Sequence, residues 1–141
     1  MSFHDDLFGQ FELDDFDHFA TDTKWREMEV ELTLFTDTES EVPEALSVAH
    51  HLWSDADRWH AKMLDLIQDM VLPLKNNNWL EDGETPLEFE SLQKRIMLGH
   101  IQVYPDRSFE FVFYDDGIFL EHDIVLQGSL DDGWKNFHLQ G

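Results

Sequence analysis

Apolar and polar residues alternate most regularly in the last third of the chain. Phe109, Phe111 and Phe113 interleave with Glu110, Val112 and Tyr114, the period of a strand with one buried face. Asp116-Gly117 follows as a hairpin signal, because both positions of a tight two-residue turn favour positive φ. Pairing Asp115 with Ile118 across that turn sets Phe113 against Leu120, Phe111 against His122 and Phe109 against Ile124, so His122 is expected on the apolar face. On the other face Glu110 would oppose Asp123 with Glu121 close by, a like-charge contact that is destabilising unless water or a cation intervenes. Ile101 and Val103 supply the preceding strand, joined through a turn at Pro105-Asp106.

Upstream the same period recurs, then changes. Phe8 to Leu13 and Lys24 to Phe35 alternate, the second run placing Glu27, Glu29 and Glu31 on one face and Met28, Val30 and Leu32 on the other, so two or three strands are expected there. From Pro43 the spacing becomes helical through Ala45, Leu46, Ala49, Leu52 and Trp53. Ser54 to Asp57 resembles a cap opening a second helix, with Trp59, Met63, Leu66, Ile67 and Met70 as its stripe and Pro73 ending or kinking it. Thr85-Pro86-Leu87-Glu88 opens a short third helix through Phe89, Leu92 and Ile96 to about Gly99. Strands, helices and strands in blocks imply an α+β fold: an antiparallel β-sheet with two to three helices packed on one face. We read residues 1–141 as a single domain, with 1–7 and 134–141 peripheral.

Asn78-Trp79-Leu80, Ser108-Phe109-Glu110-Phe111, Tyr114-Asp115-Asp116-Gly117, Phe119, His122 and Gly128-Ser129-Leu130 together resemble a bacterial family of uncharacterised proteins, a domain of unknown function. The resemblance runs from about Phe8 to Gly133 and implies fold boundaries without implying an activity.

Charge narrows the function classes. Thirty-one acids stand against nine Lys and Arg, a formal net charge of -22, and such a field repels nucleic acid and anionic membranes. No nucleic-acid or membrane partner is expected. Residues 1–50 carry over half of this charge. The chain has no cysteine, which excludes disulfides, thiolate metal sites and a cysteine nucleophile. With an acidic start and no run of about 20 apolar residues, the expected location is cytoplasmic.

Chemical signals are thin. His50, His51 and His60 lie near Asp57 and Glu44 but lack a metal-binding spacing, and no GxSxG, Walker or GxGxxG motif occurs. No catalytic residue, metal or cofactor is assigned. Asp115, Asp116 and His122 form the better ligand-binding triplet, since a hairpin tip can bring carboxylates and imidazole together, and the acidic edge Glu110, Glu121 and Asp123 could hold a hard cation. Asp-Gly turns and core histidines, however, need no ligand. Asp5, Asp6, Asp14, Asp15, Asp17 and Asp22 alternate with Phe3, Phe8, Phe16, Phe19 and Trp25, the composition of an interface with hydrophobic anchors in an acidic field. The leading expectation is therefore a non-enzymatic acidic binding protein engaging a basic protein, an immunity-type inhibitor being one form of it. The alternative is a small-molecule or cation-binding domain, or a weak enzyme, centred on the Tyr-Asp-Asp-Gly hairpin and His122.

Overall fold

Eight strands pair in the order in which they occur along the chain: β1 (Ser2–Asp5), β2 (Gly9–Leu13), β3 (Phe19–Trp25), β4 (Met28–Leu34), β5 (Ile96–Val103), β6 (Ser108–Asp115), β7 (Asp123–Ser129) and β8 (Gly133–Gln140). The computed structural model describes residues 1–120 and 122–140. Between β4 and β5 the chain leaves the sheet through α1 (Val42–Ser54), α2 (Ala56–Leu66), a π-helical turn (Ile67–Val71), α3 (Leu72–Asn78) and α4 (Phe89–Arg95). That excursion carries the chain back across to the end of the sheet where β4 began, so β4 and β5 run parallel, Leu32 beside Ile101, while the other neighbours are antiparallel.

The expected antiparallel sheet with helices packed on one face is thereby overturned. The sheet is single, mixed and eight-stranded, and with 39% strand against 33% helix the protein is mostly sheet. The helical excursion fixes the parallel pair at the centre. The two chain ends, too short or too polar to announce themselves, add β1 and β8 as edge strands.

Phe11, Trp25, Leu32, Ile101, Phe109 and Phe111 of the strands meet Ala49, Leu52, Met63, Ile67 and Val71 of the helical excursion in one core. Phe111 stands edge-on to Trp25 at 5.1 Å and to Trp134 at 5.0 Å, and Trp59 stands edge-on to Phe109 at 5.2 Å. A fully buried aromatic of this kind contributes roughly 1.5–3 kcal/mol by burial alone, and edge-to-face geometry adds to it.

Three local expectations change. Pro73 does not end the second helix: the ladder widens just before it, Leu72 N–H bonding to Ile67 O, and the proline enters the first turn of α3, where its missing donor does no harm. The third helix opens at Phe89 rather than Thr85, because Asn76 holds residue 87 extended through both polar atoms of its amide. It closes at Arg95, and Ile96 already belongs to β5.

The register of the β6–β7 hairpin also differs. Phe113 pairs with Ile124, Phe111 with Leu126 and Phe109 with Gly128, so the strand resumes only at Asp123. The cause is Asp115, whose carboxylate accepts N–H bonds from Gly117 (3.1 Å) and Phe119 (2.8 Å) and bends residues 116–120 away from the strand. Glu110 consequently faces Gln127, which donates to it at 2.9 Å, and the expected clash with Asp123 does not arise.

Candidate functional site

The sheet face opposite the core is built from the alternate positions that the strands turn away from Phe109 and Phe111. Direct pairing aligns them in rows: Asp22, Glu31, His100, Val112, Val125 and His138 in one, and Ala20, Thr33, Gln102, Glu110, Gln127 and Asn136 in the next.

The second row is a satisfied polar network. Tyr104 OH donates to one Glu110 oxygen and Gln127 to the other, so both oxygens of that carboxylate are engaged within the sheet face. Burial, then the Glu110 bond, holds the Tyr104 hydroxyl far above its usual range, so it stays a donor.

The first row is not neutralised. Asp22 and Glu31 stand directly opposite each other on the exposed surface, a repulsive cross-strand pair. His100 Nε2 lies 2.8 Å from Thr33 Oγ1 and 3.5 Å from Glu31, but burial, outweighing Glu31 and Asp14, lowers its pKa and favours the neutral ring.

Beyond that row, Met97 and Tyr114 pair across β5 and β6 and are 67% and 41% exposed. A bulge between Leu98 and His100 brings Gly99 beneath the Tyr114 ring, which occupies the space a Cβ would take. Burial raises the Tyr114 pKa, with Asp123 and Glu31 adding to the shift, so both carboxylates act on this apolar pair. Glu31 and Asp123 thus border an exposed Met–Tyr pair, and Asp22, Glu29 and the cation Lys24, which faces Glu29 across the strands, line the adjoining surface around Gly99.

The expected ligand triplet is placed on the loop at the end of this face. Asp115 is engaged by backbone N–H groups, Asp116 accepts from Arg95 Nε at 2.8 Å, and His122 Nδ1 lies 2.8 Å from Phe119 O. A carbonyl can only accept, so Nδ1 carries the proton. His122 is half-buried against Trp79, 5.7 Å between centroids, in the loop rather than on a strand among Phe111 and Ile124. No hydrogen bond joins His122 to Asp115 or Asp116 among the described residues. Of the imagined cation edge, Glu121 lies outside the described residues, and no group of three His, Asp or Glu among those described could hold a metal.

The N-terminal acids divide. Asp5 accepts from Leu7 and Phe8 N–H and from His50; burial raises its pKa, but these bonds outweigh it and the net shift is downward. Asp14 accepts from Phe16 and His18 N–H. Asp6, Asp15, Asp17 and Asp22 are exposed. Their aromatic neighbours mostly serve the core: Phe8, Phe19 and Trp25 are buried and Phe3 stacks on Phe11, leaving Phe16 projecting at 80% exposure. The pairing of Met97 with Tyr114 gave no sequence signal, because the start of β5 reads as the end of a helix until the strand pairing is known.

Two histidines make stability pH-dependent. His60 accepts the Trp25 indole N–H on Nδ1 at 3.2 Å, which requires a lone pair there, and burial followed by Arg26 lowers its pKa against the opposing pull of Asp57. For His60 and His100 the folded state favours the neutral base, so their contribution is present above the ordinary histidine value of 6.5 and is lost as pH falls through their lowered folded values. Urea midpoints should fall on the acid side of 6.5, and a His60→Gln, His100→Gln double variant should flatten that fall; an unchanged slope would contradict it.

No helix among the described residues is long and apolar enough to cross a membrane. No curated protein and no solved structure matches the chain. A family model does, over residues 5–139. The chain accordingly belongs to the family described as an uncharacterized protein conserved in bacteria, DUF2262.

Proposed function

We propose that this protein is a non-enzymatic, cytoplasmic binding domain that engages a basic protein through the sheet face opposite the core. The observation that carries the reading is the exposed Met97–Tyr114 pair with the carboxylates of Glu31 and Asp123 acting on it and Asp22 and Glu29 on the adjoining surface around Gly99. A Met–Tyr centre supplies the anchor that a binding surface needs, and the acidic rim supplies long-range attraction and selection for positive charge. Asp6, Asp15 and Asp17 extend the same sign of charge at the N-terminal strands, beside the exposed apolar ring of Phe16. A stoichiometric inhibitor of the immunity type is the form of binding protein that these features suit best. A ligand role for Asp115, Asp116 and His122 draws less support, since their hydrogen bonds already hold the loop.

The test is capture of a basic protein from a bacterial lysate, followed by titration of the purified pair. A Met97→Ala, Tyr114→Ala double variant should weaken binding roughly 30-fold or more, the loss of about 2 kcal/mol expected of an interface centre. Neutralising Asp6, Asp15 and Asp17 to Asn should chiefly slow association. An affinity that the double variant leaves unchanged would exclude this face.

A further inference from the structure

At the opposite end of β5 and β6 from Met97 and Tyr114, a cleft of about 770 Å³ separates α2 from the turns at Arg107 and at residues 130–133. That volume is of the size that holds small ligands. In a chain with nine Lys and Arg, Arg58, Lys62 and Arg107 line this cleft, and Lys135 lies at its rim on Asp132 at 3.1 Å. They stand among four acids of the lining, Asp55, Asp65, Asp131 and Asp132, with Arg58 3.6 Å from Asp55, so the cleft presents both signs of charge.

Two of these cations differ from Arg58 in how they are held. Lys62 has no carboxylate partner within 4.0 Å among the described residues, so its charge is uncommitted. Arg107 closes the β5–β6 turn with φ 77, in the left-handed region where glycine would be unstrained. Its backbone role, accepting Leu130 N–H at 2.9 Å, needs no side chain. What the arginine adds is a guanidinium on the cleft wall, resting on Asp131 at 3.1 Å.

We propose that this cleft binds a small zwitterion with an apolar body, the chemistry of an apolar amino acid. Arg58, Lys62 and Arg107 take the carboxylate. Asp131 and Asp132 on the facing turn, which now pair with Arg107 and Lys135, turn to the ammonium, and half-buried Trp59 and Trp134 receive the side chain. The overall charge of -22 argues against polyanions, which the long-range field repels, and the lining carries both signs. Trp134 provides the reporter: its indole N–H donates to Trp59 O at 3.0 Å and borders the cleft.

The experiment titrates the intact protein with phenylalanine, leucine, 3-phenylpropionate, phenethylamine and inorganic phosphate, following the indole N–H resonances. Phenylalanine or leucine should shift the Trp134 signal saturably. The carboxylate-only, amine-only and phosphate probes should bind roughly tenfold more weakly or worse, each lacking one charge-assisted contact or more. Lys62→Ala should weaken the amino acid and 3-phenylpropionate and leave phenethylamine unaffected. Arg107→Gly should weaken the amino acid without lowering the melting temperature, because it relieves the turn, and thereby separates ligand binding from folding. Failure of both amino acids to shift Trp134, phosphate or phenylpropionate binding as well as phenylalanine, or indifference to Lys62→Ala would each overturn the assignment. None of these outcomes bears on the basic-protein surface, which the Met97, Tyr114 variant tests separately.

Discussion

Lys75→Ala should lower the unfolding free energy by about 3 kcal/mol, or roughly 10 °C in melting temperature. Lys75 is 2% exposed, and its ammonium reaches Trp79 O at 2.7 Å and Glu84 Oε1 at 2.9 Å. Glu84 in turn accepts Glu81 N–H, and that bond, followed by Lys75, holds its pKa below the usual carboxylate value. The arrangement ties the C-terminal end of α3 to the segment that carries Trp79, and Trp79 stands edge-on to Phe119 and His122. One buried cation thus joins the two long loops of the molecule. Alanine removes both the charge and the buried stem. Lys75→Met retains the stem and lets Glu84, still a quarter exposed, turn to water. Urea unfolding should therefore show methionine recovering more than half of the loss, whereas equal damage from both would place the stability in the ion pair rather than the packing.

Gly128→Ala should be nearly as damaging, at about 2–3 kcal/mol. A Cβ at Gly128 would stand 2.7 Å from Gly133 O and 3.1 Å from the Phe109 ring. Neither neighbour can yield freely: the carbonyl belongs to the β7–β8 turn, and Phe109 lies at the centre of the core between Trp59 and Trp134. Gly99→Ala meets only the Tyr114 ring, which can swing into solvent, so its effect should be smaller and should appear mainly as greater Tyr114 exposure. Paired thermal melts of the two variants check the order, and a Gly99→Ala loss exceeding that of Gly128→Ala would contradict it.

These sites show how far the sequence could be read. The alternation of Phe109, Phe111 and Phe113 identified β6 and its buried face, and the helical spacing from Ala45 to Trp53 identified α1, because one-face burial dictates both periods. Register was not legible. Asp116-Gly117 is ordinary hairpin chemistry, and nothing local says that the Asp115 side chain will capture two backbone donors and postpone the strand to Asp123. The start of β5 was hidden for a related reason: Leu92 and Ile96 continue a helical stripe, and only pairing with Asp115 and Tyr114 draws Ile96 and Met97 into the sheet. With Met97 assigned to a helix, the exposed Met97–Tyr114 pair could not be foreseen. Pro73 misled in the opposite direction, since a π turn absorbs what the residue alone would break. The acidic N-terminal stretch was visible as composition, but its division into Asp5 and Asp14, spent on backbone donors, and Asp6, Asp15, Asp17 and Asp22, free on the surface, required the fold.

Ionic strength tests the central claim most directly. With the captured basic protein in hand, its dissociation constant should be measured across a salt series for the native chain and for a Glu29→Gln, Glu31→Gln variant on the rim. An electrostatically assembled complex weakens steeply as salt screens the rim, and the variant should bind more weakly at low salt with a shallower dependence. A salt-independent affinity, or a rim variant that tracks the native chain at every ionic strength, would contradict the assignment of the acidic sheet face as the binding surface.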